Sequence, residues 1–267
     1  MVTIRCQEAT FENIQAILFD KDGTLANVEG YLTLLAQARA RCVKEQLSSV
    51  DGDFEGRLLS AFGCGDAGNC RGAAGGLITP TGLMAVGSRD HNAVAAAAYV
   101  AETGMGWIAS LELVETAFQN ADKALPVKVT ETPPLEGMTE LLQSLRVADV
   151  NVGIVSSDLY QEVASFIDTY AGGAISWYCG AGAPAGARWL PKTHPDFLQF
   201  ACEQMSTDPA STLVIGDSAA DLALSCQGAA GFIGMIGGWS EAPKIDCVTQ
   251  SLSMANITSL RQVEVFE

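Results

Sequence analysis

Three short apolar, β-prone runs in this chain stop at polar side chains: 15–19 at Asp20, 150–155 at Ser156, and 212–215 at Gly216 and Asp217. Helical patterns separate them, so the strands should run parallel, each joined to the next by a crossover. Such a sheet carries helices on both faces and binds ligands beyond the carboxyl ends of its strands, near the point where strand order reverses. The pattern predicts an α/β protein built on a doubly wound parallel sheet, with all three polar ends at one edge.

The first end reads Phe19-Asp20-Lys21-Asp22-Gly23-Thr24-Leu25. Strand side chains alternate between faces, so Asp20 and Asp22 converge only if the chain leaves the strand here; Gly23 and Thr24 supply the turn. Two carboxylates so close repel one another, and a hard divalent ion such as Mg2+ would offset that repulsion. Asp and Gly are also common in ordinary strand-end turns. At the third end Gly216 lets backbone approach closely, and Asp217 and Asp221, one helical turn apart, share a face. The same Gly-Asp-Ser-x-x-Asp run also suits a plain helix start capped by Ser218 or Asp217. Lys192 is the one Lys between the second and third ends and precedes a helix start at Pro195. It could neutralise phosphate oxygens there or lie solvated at the surface. Ser156 fits an anion site and also an ordinary strand-end hydrogen bond.

Between the first two ends the patterning is helical. Leu32, Leu35, Arg39 by its stem, Val43 and Leu47 recur at helical spacing. A glycine-rich loop follows at 63–76. Ser88 or Asp90 then caps an Ala-rich helix, and Ile108, Leu111, Val114 and Phe118 mark one face of another. No strand is expected here, and Thr132-Pro133-Pro134 closes the segment. Residues 28–132 thus read as a helical insertion in a discontinuous core of 1–27 and 133–267. Within that core Met138, Leu141, Leu142 and Leu145 form a helical stripe, as do Val163, Phe166, Ile167 and Tyr170. A Gly- and Ala-rich connection spans 171–187, a helix carries Phe197, Phe200 and Met205, and a last strand covers 231–236.

The chain has 267 residues, enough for a large core or two domains, and a formal net charge of -16. That charge argues against nucleic acid or an anionic membrane as a partner. No apolar run approaches the roughly 20 residues of a membrane helix, and the start lacks a secretory pattern, so a cytoplasmic protein is expected. Eight cysteines without a Cys-x-x-Cys pair read as free thiols; Cys64 and Cys70 could form a zinc half-site, but no second pair stands near them. Neither His91 nor His194 has a Ser or Cys nucleophile motif beside it, which disfavours such triads.

On these residues the chain resembles the haloacid dehalogenase superfamily in its phosphatase branch. The superfamily's first motif, Asp-x-Asp-Gly-Thr, is matched by Asp20 to Thr24. The second, an apolar strand ending in Ser or Thr, is matched by Gly153-Ile154-Val155-Ser156. Lys192 with Pro195 matches the third, although Thr193 stands where relatives commonly have Pro. Gly216 to Asp221 matches the fourth, and order and spacing agree across 14–236. The insertion is similar to the helical type-one cap of the phosphoglycolate phosphatase-like and β-phosphoglucomutase-like branch.

The resemblance implies a Rossmann-like core with an inserted helical cap, and a Mg2+-dependent phosphatase acting on a small phosphorylated metabolite, as monomer or homodimer. It makes Asp20 the nucleophile and Asp22 the acid and base, and Asp22 favours phosphoryl over halide chemistry. Asp20, the Asp22 carbonyl and Asp217 would hold Mg2+. Ser156, Lys192 and backbone N–H groups near Lys21 and Ser157 would bind phosphate. Thr24, Gly216 and Asp221 would support them, Asp221 by orienting Lys192 or a metal-bound water. Arg71, Arg89 and His91 are cap residues to watch. A sugar-phosphate mutase would share every core residue, and a silent phosphate-binding protein should have lost one of them. A signalling receiver domain, which also phosphorylates an Asp on a doubly wound sheet, would lack so large an insertion.

Overall fold

The computed structural model describes residues 2–47, 52–65, 78–182, 190–245 and 252–266. The chain divides into two compact units, Met1–Asn27 with Pro133–Glu267, and Val28–Thr132.

Among its described residues the first unit contains nine strands: β1 (Val2–Cys6), β2 (Ala9–Ile14), β3 (Ala16–Phe19), β4 (Asn151–Leu159), β5 (Trp177–Ala181), β6 (Thr212–Gly216), β7 (Gly231–Met235), β8 (Met254–Ile257) and β9 (Val263–Phe266). Six form a parallel sheet in the order β5-β4-β3-β6-β7-β8. Every residue of β3 is buried, as a central strand covered on both faces requires. The chain moves outward from β3 through β4 to β5, then returns to β6 on the other side, so strand order reverses beside β3. Register aligns Phe19 with Ile154 and with Ile215. Asp20 and Asp217 consequently follow the last paired residues of β3 and β6, and Ser156, on the adjacent β4, follows Val155, the last residue before the β4–β5 register shifts.

Helices Met138–Val147, Tyr160–Phe166, Phe197–Gln204 and Ala219–Ser225 belong to this unit. The last two turn apolar residues to the sheet in a core where Phe197, Leu198, Ala201, Cys202, Leu222 and Leu224 cluster with Leu18, Val214 and Phe232. Phe197 is fully buried there. Phe197→Ala should therefore cost about 3–5 kcal/mol, read as a lower midpoint in chemical denaturation.

Several boundaries differ from the sequence reading. β4 runs past Ser156 to Leu159, because a register irregularity between Val155 and Leu159 lets the strand continue while its polar residues leave the regular ladder. β5 lies inside the stretch read as a connection: glycine and alanine carry little strand signal, yet the edge of β4 pairs with Trp177 and Cys179. The hairpin β1–β2, closed by Gln7 and Glu8, joins β9 in an antiparallel sheet β2-β1-β9, and the β1–β9 pairing is too distant for local pattern to reveal. The stripe through Tyr170 bends into a π-turn at Ile167–Ala171.

The second unit is helical, with helices Glu29–Glu45, Phe54–Ala61, Arg89–Ala101 and Trp107–Ala124 and single turns Leu83–Val86 and Lys128–Glu131. Among its described residues the only β-pairing is an isolated bridge between Cys64 and Ile78. Buried Arg39 pairs with Asp122 at 3.0 Å and lies over the Phe118 ring. Leu47 falls beyond its helix. Ile108 is 66% exposed, since the helix turns Ser110, Val114, Ala117, Phe118 and Ala121 inward instead. Ser88 caps Arg89–Ala101 in a reciprocal box with His91, and Arg89 pairs with Glu115 and Asp122. Both watched residues thus have structural partners, and Arg71 lies outside the described residues, as does Cys70. The described cysteines are free thiols. Among the described residues no helix is long and apolar enough to cross a membrane.

Candidate active site

The Asp20 amide donates to the Ile215 carbonyl at 2.9 Å, extending the β3–β6 pairing by one residue. The chain then folds back on itself. The amides of Thr24, Leu25 and Ala26 converge on the Lys21 carbonyl at 3.4, 2.8 and 2.9 Å, and the Gly23 amide donates to the Ala26 carbonyl at 3.0 Å. Gly23 has φ +82°, and a Cβ there would lie 2.5 Å from Asp217 Oδ2, so both conformation and space require glycine.

This turn, the end of β6 and the following helix bring Asp20, Asp217 and Asp221 together, with one carboxylate oxygen from each within 4.8 Å of the others. All three are buried. Lys192, also buried, pairs with Asp20 and lies 2.7 Å from Asp221 Oδ1. The other Asp221 oxygen accepts from the Ser218 amide at 3.1 Å and its hydroxyl at 2.6 Å, closing a capping box at the start of Ala219–Ser225. Gly216 packs directly against the Asp221 side chain and leaves no room for a Cβ. Asp217 accepts from Trp239 Nε1 at 2.5 Å and from Thr24 Oγ1 at 3.3 Å.

Burial pushes the Asp20 carboxyl up to about 7; Lys192 pulls against this, while Asp221 and Asp22 add to it. Burial, reinforced by Asp20 and Asp221, raises Asp217 well above the usual carboxylate range. Burial also opposes the Lys192 charge, but Asp20 and Asp221 outweigh it and hold the ammonium above its ordinary value. Three buried carboxylates share one ammonium, and the residual negative charge suits a hard divalent cation with oxygen ligands.

The Asp22 carboxylate does not join this triad. It pairs with Lys21, only 1% exposed, whose ammonium also lies 3.0 Å from Asp158 Oδ2. Ser156 is buried, and its hydroxyl accepts from the Asp158 amide at 3.1 Å, while Ser157 is exposed. Two contributors escaped the sequence reading. Lys21 looks like any solvated lysine until its burial is known. Trp239 had one usable signal, an indole directly after Gly237 and Gly238, just beyond the end of β7 at the same sheet edge.

A family model described as haloacid dehalogenase-like hydrolase matches residues 14–224. Among solved structures, a predicted phosphoglycolate phosphatase from Haemophilus somnus 129PT is 16% identical with TM-score 0.56, covering 88% of this chain and 89% of that one. A subfamily IA hydrolase of the same superfamily from Geobacter sulfurreducens PCA is 17% identical with TM-score 0.53, covering 94% of each. A family hydrolase from Deinococcus radiodurans R1, solved with phosphate and sodium bound, is 21% identical with TM-score 0.51, covering 94% and 93%. None of the curated proteins compared matches this chain in sequence. The structural likenesses speak for the fold.

Proposed function

Because the chain belongs to the haloacid dehalogenase-like hydrolase family, we propose that it is a Mg2+-dependent phosphatase that hydrolyses a small phosphate monoester through an aspartyl-phosphate on Asp20. The observation that carries this reading is the buried group of Asp20, Asp217 and Asp221 around Lys192. It joins a carboxylate nucleophile, a cation for phosphate oxygens and a seat for a divalent ion.

Asp20 attacks phosphorus in line with the leaving oxygen; the bond to that oxygen breaks, and Asp22 gives it a proton. Water then attacks the aspartyl-phosphate, passing its proton to Asp22, and phosphate departs as the Asp20 carboxylate is restored. Lys192, the Ser156 hydroxyl and the Ser157 amide hold the phosphoryl oxygens, and Asp221 keeps Lys192 directed at them. Asp20, Asp217 and the Asp22 carbonyl would hold Mg2+, which supplies charge neutralisation at the transferring group. Trp239 and Thr24 fix the direction of the Asp217 carboxylate, the kind of outer support that sets ligand geometry. Phosphoglycolate and sugar phosphates are the substrates to try first, the former being named in one fold relative.

The test is phosphate release from a panel of phosphorylated metabolites, with Mg2+ and with the cation chelated. Turnover should need Mg2+ and produce the dephosphorylated alcohol. An isomeric sugar phosphate formed only with a bisphosphate present would make the protein a mutase, and the absence of both phosphate release and an isomer with every member would overturn catalysis.

A further inference from the structure

Lys21 stands between the two aspartates of the first turn, buried to 1% exposure, a costly place for an ammonium. We propose that Lys21 is a positioning residue for Asp22, tying its carboxylate to the end of β4; this rests on the reading of Asp22 as proton donor and acceptor. The Lys21 ammonium meets Asp22 Oδ1 on one side and Asp158 Oδ2, at 3.0 Å, on the other. It also lies 5.6 Å from the centre of the Phe166 ring. The Asp158 amide is in turn bonded to the Ser156 hydroxyl at 3.1 Å. A continuous chain of contacts therefore runs from the proton-transfer residue to the hydroxyl at the second strand end.

The arrangement answers a need of the turn. Asp22 has left β3 and keeps only an isolated bridge to Ala26, which fixes backbone rather than side chain, and its side chain keeps 16% exposure. Proton transfer requires the donor within about 2.6–3.2 Å of the leaving oxygen, and a misplacement near 1 Å can cost about 100-fold. Lys21 restricts the carboxylate by fixing one of its oxygens against a second anchor on β4. A phosphate-binding role fits the contacts less well, because the ammonium already faces two carboxylates and offers little net charge to an anion.

The deciding experiment uses the full chain with Mg2+ and a series of monoesters: 2,4-dinitrophenyl, 4-nitrophenyl, phenyl and an alkyl phosphate. Good leaving groups need no proton, whereas poor ones do. The parameter is kcat/KM, which reports phosphoryl transfer to Asp20 and excludes the later hydrolysis in which Asp22 acts again. Lys21→Met keeps the stem against Phe166 and should lose at least about 30-fold more on the alkyl ester than on the dinitrophenyl ester. Lys21→Arg should recover part of that difference.

Asp22→Asn is the control and should show the same selectivity more strongly. If it does and Lys21→Met loses equally across the series, Lys21 is a structural or phosphate-binding lysine and the inference falls. If Asp22→Asn itself shows no selectivity, the reading of Asp22 falls, and this inference with it. Should Lys21→Met fail to fold by circular dichroism, Asp158→Asn decides. It keeps the Lys21–Asp22 pair but weakens the anchor, and must give the same selective loss on a smaller scale; a uniform loss overturns the proposal.

Discussion

Asp20→Asn is expected to abolish Mg2+-dependent hydrolysis of 4-nitrophenyl phosphate, by on the order of 10^4-fold or more, while the protein folds at least as well as the wild type. A carboxamide cannot form the acyl phosphate, and no neighbouring carboxylate can replace it. Asp221 is engaged by Lys192 and Ser218, and Asp217 by Trp239 and Thr24. The stability half of the prediction has its own cause. Asp20 is buried beside two other carboxylates and pushed up to about 7, so its charge opposes folding at pH 8 without a cation. The neutral side chain removes that repulsion, and Lys192 keeps Asp221 at 2.7 Å. The melting temperature of the cation-free variant at pH 8 should equal or exceed that of the wild type, a trade of stability for function common at such sites. Activity within tenfold of wild type would remove Asp20 from the nucleophile's role.

The second large effect is a coupling between pH and the divalent cation. An acid whose folded pKa is raised makes the folded state bind more protons than the unfolded one between the two values. For Asp20 these are 3.8 and about 7. Its contribution is fully present below about pH 4 and is lost as pH rises through 7; Asp217, also raised, acts in the same direction. Without a cation, the part of the melting temperature set by these two groups should fall between pH 5 and pH 8. Mg2+ binds the carboxylate forms, so it should stabilise more at pH 8 than at pH 5. At about 100 times its dissociation constant the gain should reach about 5–10 °C at pH 8. Asp217→Asn should remove most of that gain. Differential scanning fluorimetry across pH, with Mg2+ and with chelator, reads both effects, and a gain independent of pH would place the cation away from these carboxylates.

The elements that carry the chemistry were the most legible in the sequence. Strands β3 and β6 are short apolar runs that end at acidic turns, and burial on both faces leaves their patterning unbroken. The helix after Asp217 was marked by a cap at Ser218 or Asp217, and Ser218 takes that place, in a capping box with Asp221. Other elements depended on partners. β5 draws its structure from the edge of β4, and β9 from β1 at the opposite end of the chain. Ile108 sits at helical spacing with Val114 and Phe118, but spacing alone does not say which of two neighbouring faces meets the rest of the unit.

Sequence alone determined the parallel α/β alternation through β3, β4, β6 and β7, the helical character of the described residues of 28–132 and the identity of the acidic and basic residues at the strand ends. These follow from periodicity, turn chemistry and motif spacing, all properties of neighbours along the chain. Only the tertiary structure decided which charges share a partner. It seated Lys192 between Asp20 and Asp221, gave Asp217 to Trp239, and placed Lys21 against Asp22 and Asp158. The reason is physical: a charge's behaviour depends on its burial and on what lies within a few ångströms, and residues far apart in sequence supply both.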